Sequence, residues 1–183
     1  ERRPVATEEL TELLRTLEFG SVLRELGLTE AVEYEGTDFA TLLREVANTA
    51  AADAEATSAA VGPTSWAYGY VLSDERPTAA TITELALAVS GQVGTASEPS
   101  AAPLSGPVNA VDAKSLVVAA RRAGAAAVPG HDPLLMAYLL DAAASGPEAL
   151  ARRLGAGEWG ESAAARAVVG AELLKALAPQ LEG

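Results

Sequence analysis

The run Ser65-Trp66-Ala67-Tyr68-Gly69-Tyr70-Val71-Leu72 constrains the fold most, because it gathers aromatic and β-branched residues in one stretch. Such residues suit a pleated, half-buried surface, so the run predicts a strand. Asp74-Glu75-Arg76-Pro77 supplies a turn after it, and Thr78 to Thr83 is the expected hairpin partner. Most of the remaining chain reads as helix. Thr7 caps a segment with Leu10, Leu13, Leu14 and Leu17 on one face, and a short helix from Ser21 stops at Gly27. A third follows Thr37, with Phe39, Leu42, Leu43 and Val46 at helical spacing. Alanine-rich residues 47–60 carry no deciding period, and Ser97 to Pro107, rich in Ser, Pro and Ala, reads as loop.

Helices follow that loop. One spans about residues 110–122 and ends at Gly124. The next has Asp132 as N-cap and Pro133 in its first turn. Its body, Leu134 to Leu140, is apolar on every side and is expected to be buried on every side. Another runs from Pro147 to before Gly155, and the last from about 161 to 178. Strands early and helices late predict an α/β or α+β architecture, a small sheet covered by helices. The chain has no repeat of fixed period.

With 183 residues and 49% hydrophobic content, one compact core is expected. No apolar run approaches the roughly 20 residues that span a bilayer. The chain opens Glu1-Arg2-Arg3-Pro4 and reads as an internal fragment. Without cysteine it can hold no disulfide or Cys-ligated zinc, which fits a cytoplasmic setting. One histidine, His131, leaves little for a zinc site or a Ser-His-Asp triad, and it reads as a loop or capping residue. The net charge of −12 opposes nucleic-acid binding by this chain alone. Trp66 and Trp159 read as core or interface anchors, and the pairs Arg121-Arg122 and Arg152-Arg153 as complements to helix dipoles.

Generic catalytic signatures are missing: no phosphate-cradling glycine loop with a lysine, no paired histidines, no nucleophile elbow. The suggestive pair is Asp53-Ala54-Glu55. On a strand, two carboxylates two apart face the same side and could share a divalent cation; on a loop or helix they are a solvated pair.

Several longer blocks resemble a known family. Leu17-Glu18-Phe19-Gly20-Ser21-Val22-Leu23-Arg24-Glu25-Leu26-Gly27-Leu28 is similar to the segment preceding the 3′–5′ exonuclease domain of bacterial DNA polymerase I. His131-Asp132-Pro133-Leu134-Leu135-Met136-Ala137-Tyr138-Leu139-Leu140-Asp141 resembles a helix of that domain. Pro147 to Leu154, then Gly157-Glu158-Trp159, and the closing run from Leu173 to Gly183 continue the resemblance in family order. It implies an RNase H-like exonuclease fold over residues 37–183, with residues 1–36 as a helical lead-in from a 5′-nuclease domain.

In that family carboxylates from three motifs hold two metal ions, which activate a water and stabilise the leaving oxygen. Asp53 and Glu55 match the first motif, a D-x-E on the first strand. In the second, Leu116 stands where an aspartate belongs; in the third, Ser162 and Arg166 stand for a tyrosine and an aspartate four apart. The resemblance therefore implies a degenerate site, with Asp53 and Glu55 as remnants and no metal held by the domain. Mg2+ is expected for the parent polymerase only. The favoured expectation is a non-catalytic support and linker for the polymerase domain, in an enzyme of DNA replication and repair located in the cytoplasm at the nucleoid. The alternatives are a residual exonuclease using Asp53 and Glu55, with Asp132 or Asp141, and a module lending contact with DNA or a partner.

Overall fold

The computed structural model describes residues 34–55, 66–141 and 146–181, with the side chains of 49–55 outside the description. The first two expected helices and almost all of the lead-in fall outside the described residues. The lead-in's last residues belong to the sheet. Glu35–Gly36 forms β1, parallel to Gln92–Thr95 (β4), with Glu35 opposite Gln92 and Gly36 opposite Val93. Helix α1 then runs Phe39–Glu55. This range takes in Asp53 and Glu55, so of the backbones open to that pair, strand, loop or helix, the structure has helix. The alanines around them are strong helix formers, which is why the helix extends there.

The aromatic run forms β2, Trp66–Leu72, as expected. Its antiparallel partner β3 is Ile82–Val89, later than the Thr78 to Thr83 anticipated. Residues 73–81 make a longer turn instead, in which the Ser73 amide donates to the Thr81 carbonyl (3.0 Å) and the Thr81 amide to Ser73 Oγ (3.0 Å). A tight turn joins β3 to β4 through Ser90 and Gly91, both at positive φ (47° and 85°), the backbone that two-residue hairpins require.

Gly106–Val108 (β5) and Ala127–Pro129 (β6) pair in parallel. β5 begins within the segment expected to be loop. The chain leaving β5 bridges to β2: Tyr68 pairs with Ala110 in parallel, and the Tyr68 amide donates to the Asn109 carbonyl (2.8 Å). The strands therefore form a four-stranded mixed sheet, β1-β4-β3-β2, and a two-stranded parallel one, β5-β6, joined by that single bridge.

Strand alternation sends Trp66, Tyr68 and Tyr70, with Leu85, Leu87 and Val89, into one core. There they meet Phe39, Leu42 and Val46 of α1 and Leu116, Val117 and Ala120 of α2 (Ala113–Arg122). Ala67, Ala86 and Ala88 point the other way, toward α5 (Ala163–Leu181), α3 (Pro133–Leu140) and α4 (Pro147–Leu154). Small residues on this second face let α5 come close. A Cβ on Gly170 would sit 3.1 Å from that of Ala67.

The expectation that α3 is buried all round fails. Only Pro133, Met136 and Ala137 are buried, while Leu135, Tyr138, Leu139 and Leu140 are exposed. An apolar circumference does not say how many sides have a neighbour, and α3 packs on α5 and α4 along one side. Among the described residues no helix is long and apolar enough to cross a membrane.

Candidate functional site

Of the expected site residues, Ser162 and Arg166 lie where the start of α5 meets β2. Arg166 Nη1 donates to the Tyr70 carbonyl (2.9 Å) and Nε to the Gly160 carbonyl (3.1 Å), while the guanidinium carbon stands 5.5 Å from the centre of the Trp159 ring. One side chain thus ties a strand, a loop and an indole face together through hydrogen bonds and a cation–π contact. An open cavity of about 300 Å³ adjoins it, lined in part by Tyr70, Asp112, Leu134, Pro147 and Trp159.

Helix starts converge on this cavity. Asp112, at φ 55°, caps α2 by accepting from the Ser115 amide (3.3 Å) and hydroxyl (2.6 Å). Asp132 is buried and caps α3 by accepting from the Leu134 amide (2.9 Å), as the sequence predicts. The same carboxylate accepts from the amides of Asp112 (3.2 Å) and Ala113 (2.9 Å), so it also holds the start of α2. Burial raises its pKa, the three amide donors oppose the rise, and the Asp112 charge adds to it. The Tyr70 hydroxyl donates to the Asp112 carbonyl (2.8 Å). Burial, and then the charges of Asp112 and Asp132, push Tyr70 above its ordinary value, with Arg166 pulling the other way. Burial alone pushes Tyr68 up to about 12.

Ser162 immediately precedes α5 and caps it: its Oγ accepts from the Ala165 amide (3.2 Å), and its carbonyl from the Arg166 amide (3.1 Å). Glu84, reaching from β3, accepts from the Ala163 amide (3.0 Å). Leu116 is fully buried in the aromatic core and does not line the cavity. Asp53 and Glu55 end α1, which packs on β3 and β4. Helical backbone turns roughly 100° per residue, so positions two apart do not share a face. The shared-metal reading of that pair required a strand, and the helical backbone removes that premise.

The strand that meets Arg166 is β2, and the residues two apart on its α5-facing side are Gly69 and Val71. They have D-x-E spacing and no carboxylate. At Gly69 the fit is closed: an added Cβ would collide with the Ala163 carbonyl and the Ala167 amide. A glycine inside a strand often marks close approach of another backbone. That signal, in Tyr68-Gly69-Tyr70, could have located the close approach of α5 to β2.

Among the described residues no group of three or more His, Asp or Glu side chains stands where it could hold a metal ion. The local donor set does not suit two divalent cations. Arg166 brings positive charge, Gly69 and Val71 bring no donor, and Asp132 is committed to three amides.

Residues 44–181 match the family model described as Taq polymerase, exonuclease. The thermostable DNA polymerase I of Thermus thermophilus is 39% identical over 182 residues, 96% of this chain and 19% of that protein. That of Thermus aquaticus is 38% identical over 184 residues, covering 100% of this chain and 20% of that protein. DNA polymerase I of Deinococcus radiodurans is 40% identical over 75 residues, 41% of this chain and 8% of that protein. The chain therefore spans about one fifth of the length of the Thermus proteins.

Proposed function

Since the chain belongs to the exonuclease family of Taq polymerase, we propose that it is a non-catalytic 3′–5′ exonuclease-like domain that supports and links the polymerase domain of a larger DNA polymerase I. The observation that carries this reading is the hold of Arg166 on β2, at Tyr70 and beside Gly69, with no metal-holding carboxylate cluster among the described residues. Two-metal hydrolysis needs negative ligands a few ångströms apart around both cations. A guanidinium hydrogen-bonded to the strand itself supplies the opposite charge.

An antiparallel run β4-β3-β2, with a parallel pair β5-β6 bridged to β2 at Tyr68 and Ala110, supports an RNase H-like arrangement. In this reading the parent enzyme, with Mg2+ at its own polymerase site, acts in replication and repair in the cytoplasm at the nucleoid. Its 5′-nuclease and polymerase domains are the partners of this one, and any DNA is held by them.

The test is incubation of the chain with 3′-labelled single-stranded DNA and Mg2+ or Mn2+. No shortening is expected, whereas metal-dependent trimming that disappears in Asp53→Ala would overturn the reading. Removing the domain from the parent should leave primer extension measurable but shorten its half-life on heating; an unchanged half-life would count against a supporting role.

A further inference from the structure

Neighbouring helices α3 and α4 present opposite outer faces. On α4, Arg152 pairs with Glu148 (3.0 Å), and Arg153 reaches Asp141 (3.2 Å). Between Pro133 and Leu140, α3 carries no charge, and Leu135, Tyr138, Leu139 and Leu140 are 62%, 58%, 74% and 41% exposed. The spacing of Leu135, Tyr138 and Leu139 puts them in one stripe. Single exposed apolar side chains are ordinary, but a contiguous set with a tyrosine among them marks a contact surface.

The stripe has no cation to meet a phosphate, so nucleic acid does not fit it. What the chain does have nearby is the rest of its parent: the Thermus proteins are about five times its length. A covalently tethered surface is present at an effective concentration of about millimolar, so a small apolar patch can stay docked without strong intrinsic affinity. Interfaces between domains of one chain are of this moderate kind.

We propose that Leu135, Tyr138, Leu139 and Leu140 on α3 form the surface by which this domain docks onto an apolar patch of the polymerase portion of its parent chain. The inference rests on the supporting role proposed above and assigns that role to one helix face.

The chain has no cysteine, so Leu139→Cys introduces a single thiol at an exposed position, with Leu135→Cys as a second site. Iodoacetamide labelling, read on the tryptic peptide by mass spectrometry, compares the 183-residue chain with the full parent. The thiol should react in the 183-residue chain as fast as in an unfolded peptide, and at least about tenfold more slowly in the parent, as burial at a docked interface requires. Equal rates in both would overturn the docking surface. So would slow labelling in the 183-residue chain itself, whether it depends on protein concentration (a second copy) or is relieved by removing residues 1–33 (its own N-terminal segment). Primer extension by the same parent separates the two claims. A parent that extends primers yet leaves the thiol open defeats the surface alone. A parent that extends none defeats the polymerase reading and the named partner with it.

Discussion

Replacing Arg166 with leucine would leave the Tyr70 and Gly160 carbonyls without their donor and the Trp159 face without its cation. Losing charge-assisted bonds at a half-buried site should cost about 1–3 kcal/mol, read as a lower urea midpoint at an unchanged slope. Arg166→Asp restores a carboxylate in name, yet Gly69 and Val71 still offer none, so calorimetry with Mn2+ should register no binding. Gly69→Ala should destabilise by about 3 kcal/mol or more, because the clash is with helix backbone that cannot rotate aside. At this scale the sequence was partly legible. Arg166 could be found through its surrounding blocks, and its charge alone argued against a cation. Asp53 and Glu55 stayed ambiguous because a D-x-E says nothing about the backbone that carries it, here helix, whereas Gly69, which has no side chain to notice, marks the strand that meets α5.

Elements meet here through shared caps. Ser162 and Glu84 satisfy separate amides at the start of α5, so Ser162→Ala should cost about 1 kcal/mol in urea unfolding while Glu84 keeps the first turn in place. Asp132 serves two helices at once, and its raised pKa fixes the sign of its pH dependence. A carboxyl easier to protonate in the folded state contributes stability that is full below its unfolded value of about 3.9 and is lost as pH rises through the folded value. Relative to Asp132→Asn, which does not titrate, the native chain should therefore hold its largest advantage in acid and lose part of it toward neutrality. Urea midpoints across that range measure it. Elements with local signals were readable in advance: β2 from its aromatics, α3 from Asp132-Pro133, α4 from Pro147 and Gly155. β1 and β4 were not, being two and four residues long, although Ser90-Gly91 announces the hairpin. The exposed side of α3 was unreadable for another reason: burial depends on which neighbours arrive, and an all-apolar helix is compatible with any number of them.

For the whole molecule, charge decides what the domain can do alone. Binding DNA gains free energy by releasing counterions, which requires cations free to displace them. The chain carries 13 Lys and Arg against 25 Asp and Glu. Several described cations are already engaged: Arg76 with Asp74, Arg152 with Glu148, Arg153 with Asp141 and Lys175 with Glu172. Others are turned to the backbone, Arg121 to the Ala127 carbonyl, Arg122 to those of Ala79 and Ala80, and Arg166 to those of Tyr70 and Gly160. Arg121 and Arg122 stand in the last turn of α2, where they complement its dipole; they also bolt the end of α2 to the turn after β2 and to β6, which withdraws them further from any phosphate. The isolated chain should therefore leave single-stranded DNA unretarded in a gel at low salt, where a phosphate-binding surface would be strongest. A retarded complex that weakens with added salt would mean that a cationic surface operates despite the net charge. Arg121→Ala and Arg122→Ala would then show whether the α2 arginines supply it.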